Sequence, residues 1–260
     1  MPASPDSRSL AVFCDFENVA LGVREAKYAQ FDMDKVLERL LLKGSIVVKK
    51  AYCDWERYKE FKTSMHSASF ELIEIPHVRQ SGKNSADIRM VVDALDLCYT
   101  KAHVDTFVIV SGDSDFSPLV SKLRENAKMV IGVGVKNSSS DLLIANCDEF
   151  IYYDDLVRQD EQKRRAAKKR RESAPAGGDK KQEAFDLVGE TLNALIGERG
   201  EGEKIWGSMV KQALKRRKPG FNESYYGYRA FSDLLEEMAD KGAIRLEPDE
   251  KSGGYLIRPA

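Results

Sequence analysis

The sequence predicts an α/β domain, a parallel sheet covered by helices, followed by a smaller unit of three helices and a hairpin. Three observations carry this reading. Short β-rich runs alternate with amphipathic helical stretches from Ser9 to Leu156, apolar periodicity disappears between Val157 and Lys181, and helical periodicity begins again at residue 183. Strands alternating with helices argue for βαβ units, and their crossovers lay helices on the faces of a parallel sheet. The arrangement is Rossmannoid.

Taken in order, Leu10–Cys14 is a continuous apolar run of strand length. Asp32 to Lys43 reads as a helix, and Ser45 to Cys53 as the second strand. A helix over about 55–68, a strand from Phe70 to Ile75, a helix over about 85–101 and the strand Thr106–Val110 follow. In the 85–101 helix, Ile88, Val91, Val92 and Leu95 form the expected core stripe. Another helix, the strand Met129–Val133, a short helix and the strand Glu149–Tyr152 complete the domain, placed at residues 8–156.

Residues 157–182 form a basic strap with a net charge of +6, between bodies of −5 and −2, although the whole 260-residue chain carries only −1. Arg164-Arg165-Ala-Ala-Lys168-Lys169-Arg170-Arg171 runs into Ser-Ala-Pro-Ala-Gly-Gly, a charged helical extension entering a flexible linker. It serves as a solvated tether or as an arm on a polyphosphate, since clustered Lys and Arg release counterions from nucleic acid. Residues 183–260 resume with a helical face through Ala184, Leu187, Val188, Thr191, Leu192, Leu195 and Ile196. Helices from Trp206 to Lys215 and from Tyr226 to Asp240 follow, and then a hairpin through Ala243–Glu247 and Tyr255–Arg258. That is the outline of a winged helix.

Composition narrows the function. With 42% hydrophobic and 32% charged residues, a buried core is expected and wholesale disorder is not. No apolar run approaches the ~20 residues a membrane span needs, and the start lacks a secretory apolar region, so the cytoplasm is the expected compartment. Four dispersed cysteines without a CxxC pair argue against a disulfide framework or a zinc site. His66, His77 and His103 form no ligand spacing, and Cys14 falls inside an apolar strand. Gly132-Val-Gly134 is not a dinucleotide fingerprint, and no Walker A motif occurs.

The chemistry lies in carboxylates. Ligands of open α/β sheets bind at the carboxyl ends of the strands, where strand order reverses. Strand one ends Cys14-Asp15-Phe16-Glu17-Asn18, and the Thr106–Val110 strand ends Ser111-Gly112-Asp113-Ser114-Asp115-Phe116. In a 3-2-1-4-5 order these strands are neighbours, so Asp15, Asp113 and Asp115 converge. Asp87, in Lys83-Asn84-Ser-Ala-Asp87 at the start of a helix, points toward the same rim. Such a cluster repels itself unless a cation holds it, and oxygen ligands without Cys or His suit Mg²⁺ or Mn²⁺. One or two such ions are what phosphodiester hydrolysis needs. Asn18 adds a neutral ligand or orients a carboxylate, and Lys83 can neutralise a substrate phosphate. A duller explanation exists for each acid: Asp115 can cap a helix, as Asp32, Asp34 and Asp54 do more readily, and Asp93 reads as solvated or structural.

These three segments resemble the signatures of NYN domains, PIN-like metal-dependent nucleases, over about residues 8–155, with Ser111–Phe116 the most specific. The resemblance implies metal binding by Asp15, Asp87, Asp113 and Asp115, with Asn18 in support. It also implies endonucleolytic cleavage of single-stranded RNA. The C-terminal unit is similar to the OST-HTH/LOTUS winged helix through Trp206–Lys211, Lys218–Asn222, Tyr226–Tyr228 and Phe231–Leu235. That resemblance implies a module for RNA, including G-rich or structured RNA, or for a protein partner. Its one basic run is Lys211, Lys215, Arg216, Arg217 and Lys218, with Tyr225, Tyr226 and Tyr228 close by. Basic groups can track phosphates while an aromatic ring, Tyr226 foremost, stacks on a base. The pairing of the two modules resembles bacterial NYN–LOTUS proteins.

Two other readings compete. In one, the NYN domain is catalytically silent and the protein binds RNA or a partner as a regulator. In the other, a haloacid-dehalogenase-like or TOPRIM chemistry occupies a related sheet. The first of those chemistries wants Asp two residues after Asp15, where Glu17 stands, and TOPRIM wants a Glu on its first strand.

Overall fold

A computed structural model describes residues 8–75, 85–172, 180–200, 202–249 and 254–260. The chain divides into two compact units, the first built from residues 7–40 and 45–169 and the second largely from 170–260.

The first unit runs β1 (Ser9–Asp15), α1 (Phe16–Glu25), α2 (Met33–Lys43), β2 (Ser45–Cys53), α3 (Lys59–Ser67) and β3 (Glu71–Glu74). It continues with α4 (Ser85–Thr100), β4 (Thr106–Val110), α5 (Ser117–Glu125), β5 (Met129–Gly134), α6 (Asp141–Asn146), β6 (Glu149–Tyr152) and α7 (Tyr153–Glu172). All six strands are parallel, in the order β3-β2-β1-β4-β5-β6. Strand order therefore reverses between β1 and β4.

The apolar run of β1 follows from burial on both faces. Leu10, Val12 and Cys14 enter one core layer, with Val19 and Val23 of α1, Val36 of α2, Met65 of α3 and Tyr153 of α7. Ala11 and Phe13 enter the other, with Met90 and Ala94 of α4, Leu119 and Val120 of α5 and Leu143 of α6. Phe13 and Phe107 stack side by side across the β1–β4 pair, their rings 6.0 Å apart.

Two expectations need correction. Helix α1 begins immediately after β1, where the sequence reading placed no helix. Phe16 anchors it, fully buried against Phe31, Trp55, Tyr58 and Phe61. The buried stripe of α4 is Met90, Ala94 and Cys98, with Val91 and Leu95 of the expected stripe partly buried against the same core, while Ile88 and Val92 stand 63% and 56% exposed. Asp93, on the flank of this helix, fixes the rotation. It accepts from the Tyr52 hydroxyl at 2.9 Å and pairs with Lys50 and Arg89. Asp32, expected as a cap, directly precedes α2 and accepts from the Asp34 amide, and Asp34 lies in the first turn of α2. Asp54 accepts from the Glu56 amide in a turn rather than capping a helix.

The strap begins as helix, since α7 follows β6 directly and runs to Glu172; residues 173–179 lie outside the described residues. The second unit comprises α8 (Lys180–Arg199), β7 (Ile205–Trp206), α9 (Gly207–Arg217), α10 (Phe231–Asp240), β8 (Ile244–Asp249) and β9 (Gly254–Pro259). Its strands form an antiparallel sheet in the order β7-β9-β8. Ala184, Val188, Leu192 and Leu195 of α8 pack with Val210 and Leu214 of α9 and Leu234 and Met238 of α10. The two-residue β7 was absent from the sequence reading, being too short to show any period. A single 3₁₀ turn at Glu223–Tyr226 closes on Gly227, whose φ of 88° is the left-handed conformation that glycine adopts without strain. No helix among the described residues is long and apolar enough to cross a membrane.

Candidate active site

Asp15 ends β1 at the switch point. It is 7% exposed and caps α1, its Oδ1 accepting from the Asn18 amide at 3.3 Å. Its Oδ2 accepts from the Ser111 hydroxyl at 3.0 Å. Ser111 Oγ in turn accepts from the Asp113 amide at 3.1 Å, so one serine ties the end of β1 to the loop after β4. The Asn18 side chain completes the tie, since its Oδ1 accepts from the Gly112 amide at 2.9 Å. The Asn18 side chain therefore holds the loop through Gly112, while its backbone amide donates to Asp15.

Gly112 is enclosed. A Cβ there would lie 2.4 Å from the Ser138 carbonyl oxygen, and the Gly112 carbonyl accepts from the Ser140 amide at 2.9 Å. The loop carrying Asp113 is thus clamped between α1 and the serine-rich loop after β5. Asp113 caps the following 3₁₀ turn, accepting from the Asp115 amide at 2.9 Å. Asp115 does not cap α5, whose N-cap position is Phe116, and stands exposed at the rim.

Asp87 lies in the first turn of α4, half-buried. Burial and then the charge of Asp87 push the Asp15 carboxyl up to about 7, with Asp113 adding to the repulsion and hydrogen bonds from Asn18 and Ser111 opposing it. Burial, followed by Asp113, Asp115 and Glu17, pushes Asp87 to about 6. These acids feel one another, and no Lys or Arg pairs with Asp15, Asp87, Asp113 or Asp115 among the described residues. Within that same set, no three acidic, His or Cys side chains close into a preformed metal cage. The fit to a divalent ion therefore rests on the donor chemistry: all-oxygen groups, mutually repelling, on a rigid strand end.

Lys83 lies outside the described residues, as does His77. Cys14 is buried, and desolvation with the neighbouring Asp15 pushes its thiol well above the ordinary value, so it is an inert core group. Ser111 was quoted within a signature but not singled out. Its role depends on a contact between residues 96 positions apart, which no local pattern carries.

In the second unit, Lys215 and Lys218 are exposed at the end of α9. Lys211 pairs with Glu223 at 2.8 Å, Arg217 donates to Thr191 Oγ1 at 3.0 Å, and Arg216 is half-buried. Tyr226 is placed differently from the expected stacking platform. It is buried against Phe221, the rings 5.4 Å apart and nearly parallel. Tyr228 is buried too, and the exposed ring is Tyr225, with Lys180 Nζ 4.6 Å from its centroid.

A doubly wound parallel sheet with carboxylates at the strand ends beside its reversal point defines a fold class, the Rossmannoid α/β domains. The comparison with known families is then specific. The NYN domain matches residues 9–154, more than half of the chain, and the chain belongs to that family. NYN domains are part of the PIN-like nuclease superfamily. It is 29% identical over 117 residues to an uncharacterized protein of Methanocaldococcus jannaschii, covering 45% of each chain. It is also 26% identical over 148 residues to the meiosis regulator and mRNA stability factor 1 of Xenopus tropicalis, covering 57% of this chain and 9% of that one. The chain thus spans less than half the length of these curated relatives. Among solved structures, it is similar to a protein of unknown function from Vibrio parahaemolyticus. The TM-score is 0.52 at 28% identity, over 59% of this chain and 98% of that one.

Proposed function

We propose that the chain is a Mg²⁺- or Mn²⁺-dependent endoribonuclease acting on single-stranded RNA. In this reading residues 8–156 cleave, 157–182 connect, and 183–260 form an OST-HTH/LOTUS-like winged helix that binds RNA, single-stranded or G-rich and structured, in the cytoplasm. The observation that carries the reading is that Asp15 and the Asp113 loop, tied through Ser111 at the sheet reversal of an NYN domain, have no cationic partner among the described residues. Asp15, Asp87 and Asp113 would hold the ion, with Asp115 at the exposed rim. A bound Mg²⁺ or Mn²⁺ supplies an acidified water and charge stabilisation for phosphodiester hydrolysis.

The chain's own residues do the positioning. Ser111 donates to Asp15 and receives the Asp113 amide, holding both carboxylates on one rigid loop. Asn18 clamps that loop through Gly112. In the second unit, Lys215 and Lys218 are free to meet phosphates, and Tyr225 replaces Tyr226 as the ring available for a base.

A second reading keeps the RNA binding and makes the NYN domain silent, with the C-terminal unit tethering RNA or a protein partner. It is favoured by the lack of a preformed three-acid cage among the described residues. Incubating end-labelled single-stranded RNA, matched DNA and a G-rich RNA with Mn²⁺, Mg²⁺ or EDTA separates the two. Cleavage that requires metal and disappears in Asp113→Asn supports the enzyme. Metal-independent binding without turnover supports the tether.

A further inference from the structure

The outward rotation of α4 has a consequence at the site. Ile88 and Val92 are exposed at 63% and 56%, and Leu142 of α6 is exposed at 58%. They line a groove of about 710 Å³ whose wall also contains Asp87 and Asp115. Its volume lies within the ~300–1,000 Å³ of sites that take a small organic group. The opposite wall is the first part of α5, where Ser117 and Ser121 fall one turn apart and so share a helix face. The Ser117 hydroxyl is buried and has no hydrogen-bond partner among the described residues, although the residue is only 6% exposed. Ser121, one turn further along the same face, is exposed and offers a hydroxyl to the groove.

We propose that this groove is a nucleotide subsite, holding an unstacked base and its ribose next to the phosphate that the acids act on. The inference rests on the nuclease reading and deepens it. The occupant must combine a flat apolar body with polar edges, and it must be attached to an anion at the metal-holding end of the groove. Aliphatic walls grip the faces of a flipped-out base, and hydroxyls, which donate or accept, meet its edge. Continuity with the acids favours this occupant over a protein segment, because a helix seated between Ile88 and Leu142 would cover Asp87 and Asp115 and close the site.

The test uses the full-length chain and the double variant Ile88→Ser/Val92→Ser, with a thermal melt to confirm folding, which exposed positions should not disturb. Single-stranded RNA carrying 2-aminopurine reports stacking of a base by fluorescence in Mn²⁺, and the same oligonucleotide, end-labelled, reports cleavage. The expected result is a fluorescence change on binding to wild type that the double variant loses. A rise in KM of about tenfold should accompany it, with a smaller fall in kcat. Cleavage by wild type with the same KM in the variant overturns the subsite and leaves the nuclease standing. A fluorescence change that depends on Ile88 and Val92 in a protein that never cleaves supports the subsite and removes the nuclease. Self-association at high concentration that the variant abolishes, with RNA binding intact, overturns the subsite in favour of a contact between copies.

Discussion

Asp15 is a strand end, a helix cap and a buried carboxylate at once, and these roles conflict. As a cap it benefits from the Asn18 amide, while burial and Asp87 disfavour its charge and hold its carboxyl near 7 rather than the ordinary 3.8. Asp87 is held near 6 for similar reasons. With both folded-state values raised, the folded chain keeps protons that the unfolded chain releases above about pH 4. The contribution of these two carboxyls to stability without metal is then greatest at acid pH, falls as pH rises through the 4–7 window, and levels off above it. A series of melts from pH 4.5 to 8 in EDTA should show this decline, and Mn²⁺ should raise Tm more at pH 8 than at pH 5. Asp15→Asn should stabilise the metal-free protein at pH 8 by roughly 1–3 kcal/mol and flatten its pH dependence. A variant less stable than wild type at pH 8 would refute the repulsion argument. At Gly112 the constraint is space: the added methyl in Gly112→Ala meets the Ser138 carbonyl at 2.4 Å. Urea denaturation should show a loss of about 1–3 kcal/mol from this overpacking.

Among the elements, α4 and α1 separate what the sequence discloses from what it withholds. The central strands β1, β4 and β5 were legible because they are buried on both faces and read as apolar runs. Strands β2, β3 and β6, partly exposed, show only as β-rich stretches between helices, and the reversal between β1 and β4 matches the 3-2-1-4-5 order assumed for the sheet. The acids at the strand ends were legible as well, since a strand end locates a carboxylate whatever the packing beyond it. Helix α1 was missed because its inward residues, Phe16, Val19, Gly22 and Val23, include a glycine and sit within a stretch already assigned to a motif. The face of α4 was half legible: Val91 and Leu95 pack against the core beside Met90, Ala94 and Cys98, while Ile88 and Val92, which extend the apolar stripe in the sequence, turn outward. Asp93 fixes that rotation, and its partner Tyr52 is 41 residues away. Burial pushes the Asp93 carboxyl up, but the Tyr52 hydroxyl, Lys50 and Arg89 outweigh it and hold the group below its ordinary value. Asp93→Ala leaves the Tyr52 hydroxyl without its partner inside the core, which should cost about 1–3 kcal/mol in denaturant titrations. If the variant matches wild type, another contact sets the rotation of α4.

Across the whole molecule, charge is segregated: an acidic N-terminal body, a basic strap and a slightly acidic second unit with exposed lysines at the end of α9. Acids that await a metal and lysines that await phosphate are complementary parts of one proposed task. Lys215→Glu/Lys218→Glu should weaken RNA binding about tenfold and lower the salt dependence of log Kd by about two ion equivalents. Changes confined to affinity at low salt, with an unaltered slope, would place the phosphate contacts elsewhere. The central claim is that the carboxylates at the sheet reversal form a metal-dependent site for cutting RNA. Its most direct measurement is single-turnover cleavage of labelled single-stranded RNA in Mn²⁺ by wild type, Asp15→Asn, Asp87→Asn and Asp113→Asn. The account predicts cleavage by wild type and a loss of about a thousandfold or more in each variant, with the fold intact by circular dichroism. Cleavage persisting at the wild-type rate in all three would contradict it.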